Sequence, residues 1–197
     1  MKNNIIELLT EKEKELVTYK SYKRNEVIFH ENELCSSIGI VLKGEIDIVS
    51  YSFSGNELVY NSLSEKEIFG NNLIFFTTPK YKGDVIARLD SEIVFINSHN
   101  LLTILQSNKL FLQEYLKIQS DFGKKLNSQI KLLSYDSSYE RFEYYMFIND
   151  KHIEYRSITD LANILHLKRE TLSRLLSRLE KRRLIRRLNK HIYLLDN

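Results

Sequence analysis

Residues 157–190 have the sequence SITDLANILHLKRETLSRLLSRLEKRRLIRRLNK, and the spacing within this stretch predicts two short helices joined by a tight turn. Ser157 followed by Asp160 resembles a capping box, in which the serine oxygen accepts a backbone N–H at the start of a helix. The small Ala162 lies where a second helix would cross the first. These features predict the first half of a helix-turn-helix.

The second helix is expected from about Arg169 to Arg182, after a turn at residues 166–168. One face carries four leucines at helical spacing and is expected to be buried: Leu172, Leu175, Leu176 and Leu179. The opposite face is predominantly basic. Two crossing helices of which the second is basic on its exposed side are typical of a DNA-binding helix-turn-helix.

The exposed face has the side-chain chemistry that reads base pairs. Arginine offers two coplanar N–H donors that match O6 and N7 of guanine, and glutamate accepts from N4 of cytosine. We therefore predict base contacts by Arg169, Glu170 and Arg174. Phosphate contacts, which position a protein without reading sequence, are expected from the neighbouring polar residues Ser157, Lys168, Thr171, Ser173, Arg178 and Lys190.

Charge along the chain supports this prediction. Residues 168–190 hold ten Lys or Arg against two Glu, a net charge of +8; since the whole chain of 197 residues carries +3, the remainder carries −5. Positive charge gathered at one end is typical of a polyanion-binding surface. After Ile185, two short strands around Leu188-Asn189-Lys190 are expected to form a basic wing. The alternative is an amphipathic terminal helix whose arginines only face solvent.

The segment from about residue 22 to 96 has the pattern of short strands separated by turns. Val27-Ile28-Phe29 and Ile38 to Leu42 are apolar runs, and residues 46–51 alternate between apolar and polar. Ser54-Gly55-Asn56 has the composition of a hairpin turn. Many short strands at even spacing indicate a β-sandwich or barrel. Before residue 20 the pattern is helical.

Residues 98–134 form a predicted helix that no proline interrupts. Seven residues follow 3-4 spacing, which is typical of a coiled-coil seam and predicts a homodimer: Leu112, Tyr115, Gln119, Phe122, Leu126, Gln129 and Leu133. A second apolar row at Leu116, Ile118 and Ile130 gives the helix another face to bury. The alternative is that the seven-residue stripe packs on the chain's own barrel.

Bulk properties limit the class of protein. The composition, 43% hydrophobic and 28% charged, is that of a globular chain. The single cysteine, Cys35, excludes an internal disulfide and multi-cysteine metal sites. Residues 1–13 are too short and too acidic for a signal peptide, and the sequence holds no membrane-spanning run, so we expect a cytoplasmic protein.

The order of these parts resembles the Crp/Fnr family of bacterial transcription regulators over almost the whole chain. The resemblance lies in Asn25 to Phe29, Ile38 to Leu42, Gly44-Glu45-Ile46, Gly55 and Phe69-Gly70, and in the recognition-helix pattern Lys168 to Arg174. It implies an α+β fold: a jelly roll (double-stranded β-helix) with an N-terminal helix over 1–97, a dimerisation helix over 98–135, and a winged helix-turn-helix over 136–197. It also implies double-stranded DNA of TGTGA-like half-sites and RNA polymerase as partners. The Glu-x-x-Ser-Arg pattern at 170–174 also occurs in the Fnr branch, so the half-site stays open.

The sensor departs from the family pattern. Cyclic-AMP-binding members carry Phe-Gly-Glu and then Arg-Ser or Arg-Thr, whereas here Asn71 follows Gly70 and Tyr81-Lys82 stand at the second position. Gly70, Asn71, Tyr81 and Lys82 are the candidate effector-pocket residues. The substituted pair lacks the bidentate geometry of arginine, so cyclic AMP is not expected. An iron–sulfur cluster lacks cysteines, and haem, with His30 or His99 as conceivable ligands, is not expected either. We therefore predict no cofactor.

The sequence argues against two other functions. A cupin-type metalloenzyme needs two or three clustered histidines with a carboxylate, and the barrel region supplies only His30 and, at its edge, His99. A ligand-binding module that acts on a protein partner would leave the basic carboxyl-terminal end unexplained. The chain is therefore predicted not to be an enzyme.

Overall fold

A computed structural model describes residues 4–52, 54–55 and 57–195. The chain divides into two compact units, of which the first ends at Asp121 and the second begins at Phe122. The helices within the described ranges include none that is long and apolar enough to cross a membrane.

The first unit is built on two four-stranded antiparallel sheets. The strands are β1 (Thr18–Tyr22), β2 (Val27–Phe29), β3 (Ser37–Lys43), β4 (Glu45–Tyr51), β5 (Glu57–Ser64), β6 (Ile68–Phe69), β7 (Asp84–Ala87) and β8 (Ser91–Asn97). One sheet has the order β1-β8-β3-β6 and the other β2-β7-β4-β5. This is the predicted jelly roll, and the expected α+β fold is confirmed.

The helical pattern before residue 20 is shorter than expected. A 3₁₀ turn spans Ile5–Leu8 and α1 spans Glu11–Lys14. Thr10 caps α1 by accepting the Glu13 N–H in a capping box. The chain then enters β1 at Thr18, because pairing with β8 determines its conformation.

Aromatic rings fill the interior between the sheets. Phe29 stacks on Tyr81 with ring centroids 4.6 Å apart, and Phe95 meets Phe29 edge to face at 5.8 Å. The Phe69 ring lies against Gly39, where an added Cβ would come within 2.1 Å of the ring. Close approach of this ring therefore requires glycine at position 39.

The turn between β4 and β5 agrees with the hairpin prediction. Gly55 adopts a φ of 79°, which a residue without a Cβ tolerates. Asn56, the other predicted turn residue, lies outside the described residues.

The predicted helix 98–134 is two helices, α2 (Ser98–Ser107) and α3 (Lys109–Leu133). Asn108 breaks it, with an extended backbone (φ −114°, ψ 96°). Its amide nitrogen donates to the Leu8 carbonyl and to a Glu13 carboxylate oxygen, both at 2.8 Å, and its Oδ1 accepts the Phe111 N–H at 3.0 Å. A capping asparagine therefore starts a new helix without any proline or glycine.

The second unit contains the end of α3 and six further elements: α4 (Ser138–Ile148), β9 (His152–Glu154), α5 (Ile158–Ile164), α6 (Arg169–Lys181), β10 (Ile185–Leu188) and β11 (His191–Leu194). The strands form an antiparallel sheet of order β10-β11-β9. Leu132 of α3 is buried in the same apolar core as the inner faces of α4, α5, α6 and this sheet.

Candidate nucleic-acid interface

α5 and α6 form the predicted helix-turn-helix. Ser157 caps α5 by accepting the Asp160 N–H at 3.1 Å, and Ala162 is buried at the crossing. His166 makes the turn with a φ of 52°, and the Leu167 N–H donates to the Ala162 carbonyl at 2.8 Å. A left-handed residue followed by a closing backbone hydrogen bond is a common way to end a helix. Here it ends α5 and lets the chain change direction before α6.

The leucine face of α6 is buried as predicted, with all four leucines at 3% exposure or less. Arg169, Glu170 and Arg174 are exposed on the opposite side. The Arg174 Nε lies 3.4 Å from the Glu170 carbonyl oxygen, and none of the three side chains forms an ion pair with any residue in the described ranges. The structure thus brings the predicted base-reading residues together on one solvent-facing surface.

Four of the predicted phosphate contacts are exposed: Lys168, Ser173, Arg178 and Lys190. Thr171 is half-buried. Lys168 occupies the N-cap of α6, but its ammonium has donors only and cannot cap the helix. All five are therefore placed on or next to the recognition helix and the wing.

The structure does not support the predicted phosphate contact by Ser157. Its hydroxyl accepts the Asp160 N–H and donates its only proton to Asp160 Oδ2 at 2.8 Å. A phosphate oxygen needs a donor, and this hydroxyl has none left while the cap is formed. The role of the Ser157 side chain is therefore to begin α5.

The wing is the hairpin of β10 and β11. Asn189 and Lys190 form its turn with φ of 47° and 66°, the two positive values that a type I′ turn requires. The Tyr155 N–H donates to the Lys190 carbonyl at 3.0 Å. The basic tip of the wing is thus tied to the segment that leads into α5.

One residue of the basic segment is not available to a polyanion. Arg187 Nε donates to a Glu180 carboxylate oxygen at 2.9 Å, and its Nη2 binds the same oxygen. This hydrogen bonding raises the pKa of Arg187 and lowers the pKa of Glu180, so the pair is ionised and largely self-neutralised. This pair leaves the net charge of +8 unchanged but removes one of the ten basic side chains from those that can meet a phosphate.

Two basic residues outside the predicted contact set lie beside it. Arg156 lines a groove with Glu154, Tyr155 and the wing turn, and Arg182 lines a second groove with Arg178 and Tyr139. In the sequence, Arg156 directly precedes the capping Ser157, and Arg182 follows Arg178 by one helical turn. Their position next to predicted contacts is the sequence signal that could have pointed to them.

The predicted seam on α3 needs correction at Tyr115, and its Gln119 is partly engaged within its own unit. Tyr115 is buried, at 4% exposure, and its hydroxyl donates to the Asn71 carbonyl at 3.3 Å. Gln119 Nε2 donates to the same carbonyl at 2.8 Å, and Asn71 Nδ2 donates to Gln119 Oε1 at 2.9 Å. Tyr115 therefore packs within its own unit, and the Gln119 amide is engaged there.

The exposed apolar side chains of α3 follow another register. Leu116, Leu126, Ile130 and Leu133 are 48–66% exposed, whereas Phe122 and Gln129 are half-buried. We call the stripe through these residues the revised seam, as a candidate pairing surface. It has steps of 4, 3, 4, 3, 4 and 3 and consists of Leu112, Leu116, Gln119, Gly123, Leu126, Ile130 and Leu133. It shares four residues with the predicted stripe.

The candidate effector-pocket residues do not converge on a polar site. Asn71 is buried and bonded to Gln119, Tyr81 is buried in the aromatic core, and Lys82 is exposed. Gly70 adopts a φ of 76°, and an added Cβ would lie 2.9 Å from the Ser37 carbonyl oxygen. The backbone conformation at position 70 therefore explains Gly70, and burial in the aromatic core explains Tyr81, without a bound effector.

Cys35 is buried, with its Sγ 3.5 Å from the Ser37 carbonyl oxygen. Burial raises the pKa of the thiol, so the neutral form is favoured. A neutral buried thiol is a poor nucleophile, and Cys35 acts as a core residue.

Two family profiles match the chain. The cyclic nucleotide-binding domain profile matches residues 19–108, and the Crp-like helix-turn-helix domain profile matches residues 150–197. No curated protein sequence matches.

Solved structures share the fold at low sequence identity. A CooA variant from Carboxydothermus hydrogenoformans is 19% identical, with a TM-score of 0.75 over 100% of this chain and 93% of that one. FixK2 from Bradyrhizobium japonicum is 18% identical, with a TM-score of 0.63 over 91% and 93%. The Thermus thermophilus catabolite activator protein is 18% identical, with a TM-score of 0.57 over 98% and 94%.

Proposed function

Because the chain belongs to the Crp/Fnr family of transcription regulators, we propose that it binds a two-fold symmetric DNA site as a homodimer and without cyclic AMP. Members of this family are DNA-binding regulators and not enzymes. The observation that carries the proposal is the exposed face of α6, where three base-reading side chains have no ion-pair partner among the described residues.

In this proposal the N-terminal half of α6 enters the major groove. Arg169 and Arg174 each donate to O6 and N7 of a guanine, and Glu170 accepts from N4 of a cytosine. The half-site is of the TGTGA type, with a TTGAT type as the alternative. Lys168, Thr171, Ser173, Arg178 and Lys190 contact phosphates around it, since four of them are exposed and Thr171 is half-buried beside them.

The homodimer forms along the revised seam of α3. Exposed leucine and isoleucine side chains at 3-4 spacing are costly to leave in water, and a second copy supplies the matching surface. Pairing two chains sets the recognition helices about 34 Å apart, one turn of DNA. A palindromic operator follows from that symmetry.

We propose further that no cyclic nucleotide, haem or iron–sulfur cluster controls the protein. Asn71, which stands where the nucleotide-binding members have glutamate, is committed to Gln119, and Lys82 points to solvent. Aromatic rings occupy the interior between the sheets. These observations support control by another molecule or by none. As a DNA-bound regulator the protein would act in the cytoplasm and contact RNA polymerase.

The test is fluorescence anisotropy at one fixed salt concentration. Symmetric duplexes with TGTGA-type and TTGAT-type half-sites are compared with a scrambled duplex of the same composition. We expect at least about a thousandfold preference for one symmetric duplex, the lower end of specific recognition, and no change on adding cyclic AMP. Equal affinity for all three duplexes would refute sequence-specific binding, and tighter binding with cyclic AMP would refute independence from it.

A further inference from the structure

The sheet of the second unit carries a pair of histidines that the DNA-binding surface does not use. His152 on β9 and His191 on β11 lie on the same face of the sheet, with His152 Nε2 3.0 Å from His191 Nδ1. Their ring planes differ by 16° and their centroids are 5.2 Å apart. With facing nitrogens this close, the rings lie edge to edge, and one imidazole donates to the other.

The Tyr193 ring packs against the histidine pair. It is directly opposite His152 in the strand register, and the two rings stack with centroids 4.6 Å apart and planes 10° apart. His152 is exposed and His191 half-buried, so both facing nitrogens are reachable from solvent. Two imidazoles are thus presented side by side on hydrogen-bonded strands.

We propose that His152 and His191 bind one divalent transition-metal ion, such as Ni²⁺, Cu²⁺ or Zn²⁺, through His152 Nε2 and His191 Nδ1. Metal–imidazole bonds of about 2.0–2.1 Å place two nitrogens bound at neighbouring positions about 2.9–3.4 Å apart. At 3.0 Å the two nitrogens are close enough to share one ion once both rings turn so that their lone pairs converge on it. Imidazole nitrogen favours these metals, whereas Mg²⁺ and Ca²⁺ favour oxygen ligands.

Binding requires a change of tautomer and a rotation of the two rings. In the free protein one of the two facing nitrogens carries the hydrogen that joins the rings. The ion needs a lone pair from both, so the donor ring adopts its other tautomer and its hydrogen moves to the opposite ring nitrogen.

Water completes the coordination. In the part of the chain that the structure describes, no group of three or more His, Cys, Asp or Glu is arranged to hold a metal. Glu154 is directly opposite His191 in the register and adds negative charge to the same face. The proposed site is therefore exposed to solvent and binds its ion reversibly.

The bound ion would tie β9 to β11. The turn that precedes His191 contains Lys190, whose carbonyl already accepts from Tyr155. A ligand that binds only the folded state stabilises it in proportion to the logarithm of its concentration. Occupancy therefore raises the unfolding temperature of the second unit and stiffens the wing.

The test uses the full chain with no affinity tag and no DNA. Isothermal titration with NiCl₂ or ZnCl₂ measures stoichiometry and affinity, and thermal unfolding with and without metal measures stabilisation. The variants are His152→Gln and His191→Gln. The matched control is His99→Gln, an exposed histidine of the first unit, and MgCl₂ is the control ion.

We expect one ion per chain in the unmodified protein and in His99→Gln, at least tenfold weaker binding in either sheet variant, and no response to MgCl₂. Unchanged binding in both sheet variants, or equal loss in His99→Gln, would overturn the site. Tyr193→Phe keeps the ring that stacks on His152 and should keep the metal, which separates loss of ligands from loss of fold. Because no DNA is present, a negative result leaves the proposed regulator function standing.

Discussion

Individual arginines in the basic segment differ in what they already contact. Arg187 is bound by Glu180, whereas Arg169 and Arg174 face solvent on α6 without an ion pair in the described ranges. A guanidinium that is already paired adds little to polyanion binding, because a second anion must compete with the first. In the proposed complex, sequence-specific recognition would therefore depend on a few unpaired arginines and not on the total charge.

Arg174→Ala should weaken binding to the preferred duplex by about 1–3 kcal/mol and relax discrimination at one base pair. The reason is loss of a bidentate contact with guanine. Anisotropy titrations against single-base variants of the half-site measure both effects. Arg24→Ala, which removes the same charge from an exposed position of the jelly roll, is the control. Unchanged discrimination at every position would show that Arg174 is not a base reader.

Arg178→Gln should weaken specific and unspecific DNA binding equally. As a phosphate contact, Arg178 releases about one counterion on binding, so the slope of log affinity against log salt should become shallower by about 1. Titrations at four salt concentrations on the preferred and scrambled duplexes measure this. A loss confined to the preferred duplex would instead make Arg178 a base reader.

At the scale of the elements, the start of α5 depends on one hydroxyl. Ser157→Ala removes the cap and should lower the free energy of unfolding by about 1 kcal/mol, within a range of about 0.5–2. Urea unfolding followed by circular dichroism measures it, with Ser173→Ala on the exposed face of α6 as the control. If Ser157→Ala left stability unchanged and weakened binding to the preferred and scrambled duplexes alike, the phosphate role would be restored and the capping role would be wrong.

The break between α2 and α3 depends on Asn108 in the same way. Asn108→Ala leaves the buried Glu13 and the Leu8 carbonyl without this donor and should cost about 1–3 kcal/mol of stability. Gln113→Ala, exposed on α3, should be nearly neutral. Equal urea midpoints for the two variants would mean that the break is maintained by packing alone.

At the scale of the whole molecule, the revised seam predicts the oligomeric state. Ile130→Glu places a charge among apolar side chains of the proposed dimer and should shift the protein toward monomer in sedimentation equilibrium, weakening DNA binding at the same time. Leu110→Glu is the matched control, because Leu110 is 63% exposed on the same helix but outside the seam. A dimer that survives Ile130→Glu and dissociates with Leu110→Glu would place the interface on another face.

Much of the second unit could be predicted from sequence, because its signals are local. The cap at Ser157, the leucine stripe of α6 and the wing turn each depend on residues within a few positions of one another. The seam register could not, since two apolar rows run along α3 and only packing against Asn71 shows which row faces inward. The break at Asn108 was missed because its partners, Leu8 and Glu13, are about a hundred residues distant.

The hydrogen-bonded group of Asn71, Tyr115 and Gln119 has a consequence for any regulatory molecule. A compound that inserts beside Gly70 has to displace these amides and the tyrosine hydroxyl, each of which contributes about 1 kcal/mol net, before it makes contacts of its own. The helix released by that exchange is the one that presents Leu116 and Ile130. If the chain pairs along the revised seam as proposed, binding beside Gly70 would therefore alter the same helix that forms the pairing surface.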